Sequence, residues 1–268
     1  MREVKLNRYI VLGSSIRYLL DAHEGLPIRQ PLNRNELALV GHMDRIDKEL
    51  QQMGLYVTYQ AFRAELRDLY ISLRNFPIDA RLSKEQADEV LEGINVVTNV
   101  LKYEATNLRA YIISDKRLDV NKLLSDVSTL FPKNVFYSLP DVAQYDFTQA
   151  GKCIAFEVPT AAAFHILRGT EDVLRSYYSA LLPSAVPSPN LLWGPMVTAL
   201  RGMATDSPPK ELLDNLDNIR VSFRNPTQHP DKRYDLDEVQ DLFNLCVDVV
   251  NRVAKDSFRR GAWVEIPF

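Results

Sequence analysis

Leu39, Met43, Ile46, Leu50 and Met53 recur at alternating steps of four and three, with Gly54 just beyond them. That spacing lays one apolar stripe along an α-helix and puts glycine where the chain must leave it. Phe62, Leu66, Leu69 and Leu73 mark a second helical face between Tyr56 and Leu73. Ser83 and Gln86 form a capping box before Val90, Ile94, Val97 and Leu101, which predicts a helix over 84–104. The exception is Leu108–Ile113, short and rich in β-formers, which reads as a strand.

The second half keeps the helical period. Leu139, Pro140 and Asp141 start a helix that runs to about Phe156, and Pro159 with Thr160 opens a stronger one. There Ala163, Leu167, Thr170, Leu174, Tyr177 and Leu181 form the apolar stripe, while His165, Arg168, Glu171, Asp172 and Arg175 gather on the opposite arc. The prolines within Leu182–Asn190 require a loop, after which a helix over Trp193–Met203 stops before Ser207, Pro208 and Pro209. Leu212, Leu216, Ile219 and Phe223 stripe the next helix. Pro226 disfavours helical backbone in the residue before it, so that helix is expected to end at Arg224 and Asn225. Asp235 and Glu238 then cap a last long helix that buries Leu236, Val239, Phe243, Cys246, Val250 and Val253. The fold expected is mainly α, with room for one short strand pair. A helical N-terminal region, 1–140, serves regulation, dimerisation or target recognition, and a helical bundle occupies 141–268.

Composition narrows the class. With 268 residues, 46% of them hydrophobic, the chain can bury a substantial core in one large domain or two ordinary ones. Apolar runs fall far short of the roughly 20 residues needed to cross a bilayer. The opening residues do not read as a signal peptide, so a cytoplasmic protein without membrane contact is expected. Cys153 and Cys246 lie in apolar helical patterns and read as buried reduced thiols; no Cys/His cluster suggests a metal. A net charge of −3 and a pI near 5.9 argue against a protein that coats nucleic acid, so any RNA contact must be local.

The chemistry concentrates in Arg224-Asn225-Pro226-Thr227-Gln228-His229, between two buried helices. Arginine can clamp a phosphate bidentately and histidine can move protons near neutral pH. These are the two abilities that metal-free RNA cleavage needs. An Arg-x4-His spacing arises easily by chance, so its helical setting must carry the argument. Arg224 can instead serve the last carbonyls of its helix, His229 can be a turn residue bonded to backbone, and Asn225 before proline suits a turn former. For His165, Arg168 and Glu171 the plain reading is a solvated helix face with i, i+3 charge pairing. The functional one turns that face toward the motif, with Glu171 anchoring Arg224 and Arg168 adding positive potential. His23 and His42 read as structural, and Trp193 as a plug of the bundle. Arg259, Arg260, Trp263 and Phe268 suit a docked tail better than an RNA contact.

In this setting the motif resembles that of the HEPN superfamily of prokaryotic helical-bundle proteins, where Arg-Asn-x3-His lies between the last two helices. Arg224, Asn225 and His229 are the matching residues. Phe164-His165-Ile166-Leu167-Arg168 with Glu171, and Trp193-Gly194 after the proline loop, extend the likeness to abortive-infection-type members over residues 155–256. Pro230, directly after His229, departs from the pattern. The resemblance implies a hydrolase: a cofactor-free, metal-independent endoribonuclease with catalytic Arg224, His229 and Asn225. Two copies of the motif would meet across a homodimer, and the activity would serve antiviral defence or toxin-like growth arrest, held in check by a regulatory partner protein. Two other readings stand beside it. One is a noncatalytic dimeric interaction or nucleotide-binding module; the other is a partner of a nucleotidyltransferase that would modify Tyr234, the tyrosine nearest the motif.

Overall fold

Helices make up all the regular structure of the described residues in this computed structural model, apart from one isolated antiparallel bridge between Pro27 and Arg81. The described residues are 5–29, 37–108, 111–183 and 192–266. The chain divides into two compact units, Met1–Tyr111 and Ile112–Phe268, each with its own apolar core.

The first unit packs α1 (Leu6–Leu20), α2 (Leu39–Met53), α3 (Tyr56–Arg74) and α4 (Lys84–Thr106). The expected stripe of α2 is buried along its length, and Phe62, Leu66, Leu69 and Leu73 of α3 close on it. Each such aliphatic side chain, once buried, contributes about 1.5–3 kcal/mol. Gly54 ends α2 at φ +69°, a left-handed conformation that costs glycine little. The Ser83–Gln86 capping box is formed at the start of α4.

The second unit holds α5 (Val120–Ser125), α6 (Asp141–Ala155), α7 (Pro159–Leu181), α8 (Trp193–Arg201), α9 (Lys210–Ile219), a five-residue π-turn (Arg220–Arg224), α10 (Asn225–Thr227) and α11 (Leu236–Arg259). Its core joins Phe147 of α6, Tyr177 of α7, Trp193 of α8 and Phe243 of α11. The Asp235–Glu238 capping box opens α11. At the other end of α11, Asp256 is buried and accepts hydrogen bonds from Tyr177, Arg259 and Arg260.

Three expectations change. Described residues of Leu108–Ile113 form no strand, and positions 109–110 lie outside the described residues, as do 184–191 of the proline loop. The boundary between units falls at Tyr111/Ile112 rather than 140/141, because Leu123, Val127, Phe131 and Phe136 belong to the core of the second unit. Pro226 does not end its helix either. Arg224 and Asn225 keep right-handed helical backbone, and the Asn225 N–H reaches back five residues to the Arg220 carbonyl. The wider π-turn gives the proline ring room where a regular helix would press it against the carbonyl four residues back.

Candidate functional site

α6 and α7 approach closely at Gly169, where an added methyl would lie 3.2 Å from Asp146 Cβ and 3.3 Å from the Phe147 ring. That approach brings Asp146, an acid on the buried stripe of Ala143, Phe147 and Ala150, against the polar arc of α7. Its carboxylate is fully buried, at 0% exposure. It accepts from His165 Nδ1 at 2.8 Å and from Arg168 Nε and Nη2 at 2.6 and 2.5 Å. Burying a carboxylate without such partners would cost several kcal/mol. One turn further along α7, Glu171 holds two arginines: Oε1 accepts from Arg175 at 2.8 Å and Oε2 from Arg224 Nε and Nη2 at 3.3 Å each. The arc is therefore a half-buried polar seam and not a solvated face. Burial also raises the Asp172 carboxyl above its ordinary range.

The seam borders a cleft of about 310 Å³, lined by Phe164, His165, Arg168, Glu171, Arg224 and Gln228 among others. Guanidinium and imidazole groups face it over two carboxylates that keep them in place. His229 lies elsewhere. It is exposed, its imidazole has no hydrogen-bond partner among the described residues, and it lines a shallow depression with Asn225, Pro226, Val221, Asp231 and Lys232. Four of the six candidate residues thus come together, Arg224, Glu171, Arg168 and His165, while Asn225 and His229 share a second depression.

The helical backbone explains this split. Residues four apart share a helix face. With the turn still helical past Pro226, Arg224 goes with Gln228, and Asn225 goes with His229. A helix stopping at Arg224 would have left the two motif side chains free to converge. Thr227 fixes the turn: its hydroxyl donates to the Phe223 carbonyl at 2.6 Å and pairs with the Tyr234 hydroxyl at 2.7 Å. Tyr234, only 5% exposed, is held in turn by Thr160 Oγ1, which accepts its backbone N–H at 3.2 Å.

Asp146 and Gln228 were missing from the sequence reading. Asp146 does carry a signal in the sequence, since an acid three residues after Ala143 and four before Ala150 falls on a stripe of α6 that is otherwise apolar. Other candidates lie apart from the cleft. His42 stacks on Tyr18 with ring centroids 4.1 Å apart, and burial followed by the nearby Arg45 charge lowers its pKa. Arg260 is bound to Asp256 and Asp206, and Trp263 packs against the core; Phe268 lies outside the described residues. Cys246 is buried and Cys153 half-buried, both free thiols that burial pushes upward, Cys246 to about 12. Among the described residues no helix is long and apolar enough to cross a membrane, and no group of three or more His, Cys, Asp or Glu side chains could hold a metal ion. No protein-family model, curated protein or solved structure matches the chain.

Proposed function

We propose that the second unit cleaves RNA without a metal, using the ribose 2′-hydroxyl as nucleophile. The observation that carries this reading is Arg224, pinned through two N–H groups to Glu171 beside a cleft it shares with Arg168 and His165. A guanidinium whose Nε–Nη2 edge is tied to a carboxylate keeps its remaining donors in a fixed direction, suited to phosphate oxygens. Cleavage then requires removing the 2′-hydroxyl proton, stabilising the crowded phosphorane and protonating the 5′-oxygen. The products are a 2′,3′-cyclic phosphate and a free 5′-hydroxyl. Arg224 stabilises the phosphorane. His229 moves a proton, and a second copy of the chain is the source that brings it to the cleft, because within one chain it faces another depression. Asn225 beside it orients the imidazole or bonds a phosphate oxygen. Phage defence or growth arrest is the setting the family likeness suggests, with a regulatory partner to restrain the activity.

The test is incubation of RNA with the purified chain in EDTA, next to Arg224→Ala and His229→Ala. Both substitutions are expected to abolish cleavage while circular dichroism stays helical; cleavage surviving in both would remove the proposal. A second reading is favoured by the separation of Arg224 from His229: a noncatalytic dimeric module whose cleft binds a nucleotide. It predicts intact RNA in every sample, with nucleotide binding lost on Arg224→Ala.

A further inference from the structure

His165 is the histidine that shares the Arg224 cleft, and Asp146 decides how its ring is presented. A fully buried carboxylate that accepts from two arginine nitrogens has only acceptor capacity to offer the third partner, so Nδ1 must carry the proton and donate it at 2.8 Å. In the neutral ring the opposite nitrogen, Nε2, then keeps its lone pair. The side chain is 28% exposed and lines the cleft together with Arg168, Arg224 and Gln228. A base fixed in one tautomer by a buried acid, beside guanidiniums able to hold an oxyanion, has the layout that hydroxyl activation requires. A helix face built only for solvation would not bury the acid completely.

We infer that His165 is a further catalytic residue, the general base of this cleft, with Asp146 as its positioning residue. The assignment rests on the ribonuclease reading for its substrate, a phosphodiester flanked by a ribose 2′-hydroxyl. Nε2 takes the 2′-hydroxyl proton as the 2′-oxygen bonds to phosphorus. The bond from phosphorus to the 5′-oxygen breaks, and the leaving oxygen takes a proton from His229. Exchange with water returns both imidazoles to their starting forms. His229 of a second copy is thereby the acid and His165 the base, so the two proton transfers come from helix α7 of one copy and the bend after α10 of the other. The charged and titratable groups around His165 are Asp146 and Tyr145 of α6, Arg168, Glu171 and Asp172 of α7, and Arg224 of the π-turn.

Two measurements on the full chain separate this inference from the reading beneath it. Nitrogen-15 NMR of the imidazoles, without RNA, is expected to find His165 protonated at Nδ1; an Nε2-protonated ring overturns the inference whatever the activity. Kinetics on an oligoribonucleotide in EDTA then compare the parent with His165→Gln, His165→Asn and Asp146→Asn, each checked for its melting transition. The expected result for His165→Gln and His165→Asn is a fall in kcat of about 10²-fold or more, the usual scale of general base catalysis, with KM nearly unchanged and the acid limb of the pH–rate profile gone. Asp146→Asn should fall less and keep that limb, displaced. RNA cut in an Arg224-dependent way at an unchanged rate by both His165 variants overturns the role of His165 and leaves the ribonuclease reading standing. A parent that cuts no RNA overturns both.

Discussion

Asp256 gathers more donors than any other carboxylate of α11, and they decide its protonation. Burial works to raise its carboxyl, but hydrogen bonds from Arg260, Tyr177 and Arg259 outweigh that and hold it below the ordinary range. Tyr177 moves the other way: burial, then its hydrogen bond to Asp256 and that charge, push the phenol upward. A lowered carboxyl stabilises the fold above its unfolded pKa of about 3.9 and loses that contribution as pH falls through the folded value. A raised phenol contributes below about pH 10 and loses it as pH rises through its own folded value. Removing one partner of a buried pair costs about 3–5 kcal/mol, so Asp256→Ala should weaken the second unit by that amount at neutral pH. Urea titrations across the acid range should find the gap between parent and variant closing as pH drops below the carboxylate range; a constant gap would refute the account.

Helix α7 carries both the core stripe and the polar seam, and Gly169 is where these demands meet. Its missing side chain lets α6 come near enough for Asp146 to serve His165 and Arg168 at once. Gly169→Ala presses on the Asp146 Cβ and on Phe147, whose ring is locked in the core. The expected cost is about 1–3 kcal/mol by chemical denaturation, with the His165 ring signals displaced in NMR. A gain in stability with unmoved signals would mean that α6 yields without consequence.

The capping boxes of α4 and α11 and the stripe of α2 could be read from the chain because each depends on neighbours within one or two turns. The π-turn could not. Proline's bias against helical backbone in the preceding residue is a preference, and Asn225 overrides it at φ −65° and ψ −50°. The split of Arg224 from His229 follows from that single turn. The link from Asp146 to His165 stayed hidden for another reason, since nothing local says which side of α6 meets α7.

At the scale of the molecule, two separate cores imply two folding events. Fragments 1–111 and 112–268 are each expected to be helical and to melt cooperatively alone, and the second to keep any RNA-cleaving activity. A fragment 112–268 that stays unfolded would mean that the first unit is needed to complete it. Were another protein to regulate the chain by modifying Tyr234, the burial of that residue would limit the form this could take. The phenol hydroxyl closes against Thr227, well inside the surface. A transferase seeking that oxygen would find it covered in the native state and would need a chain whose motif turn had come undone. Any group it attached would wedge the turn apart, so the mark would act as a one-way latch on the unlocked form and not as a label added to the folded chain.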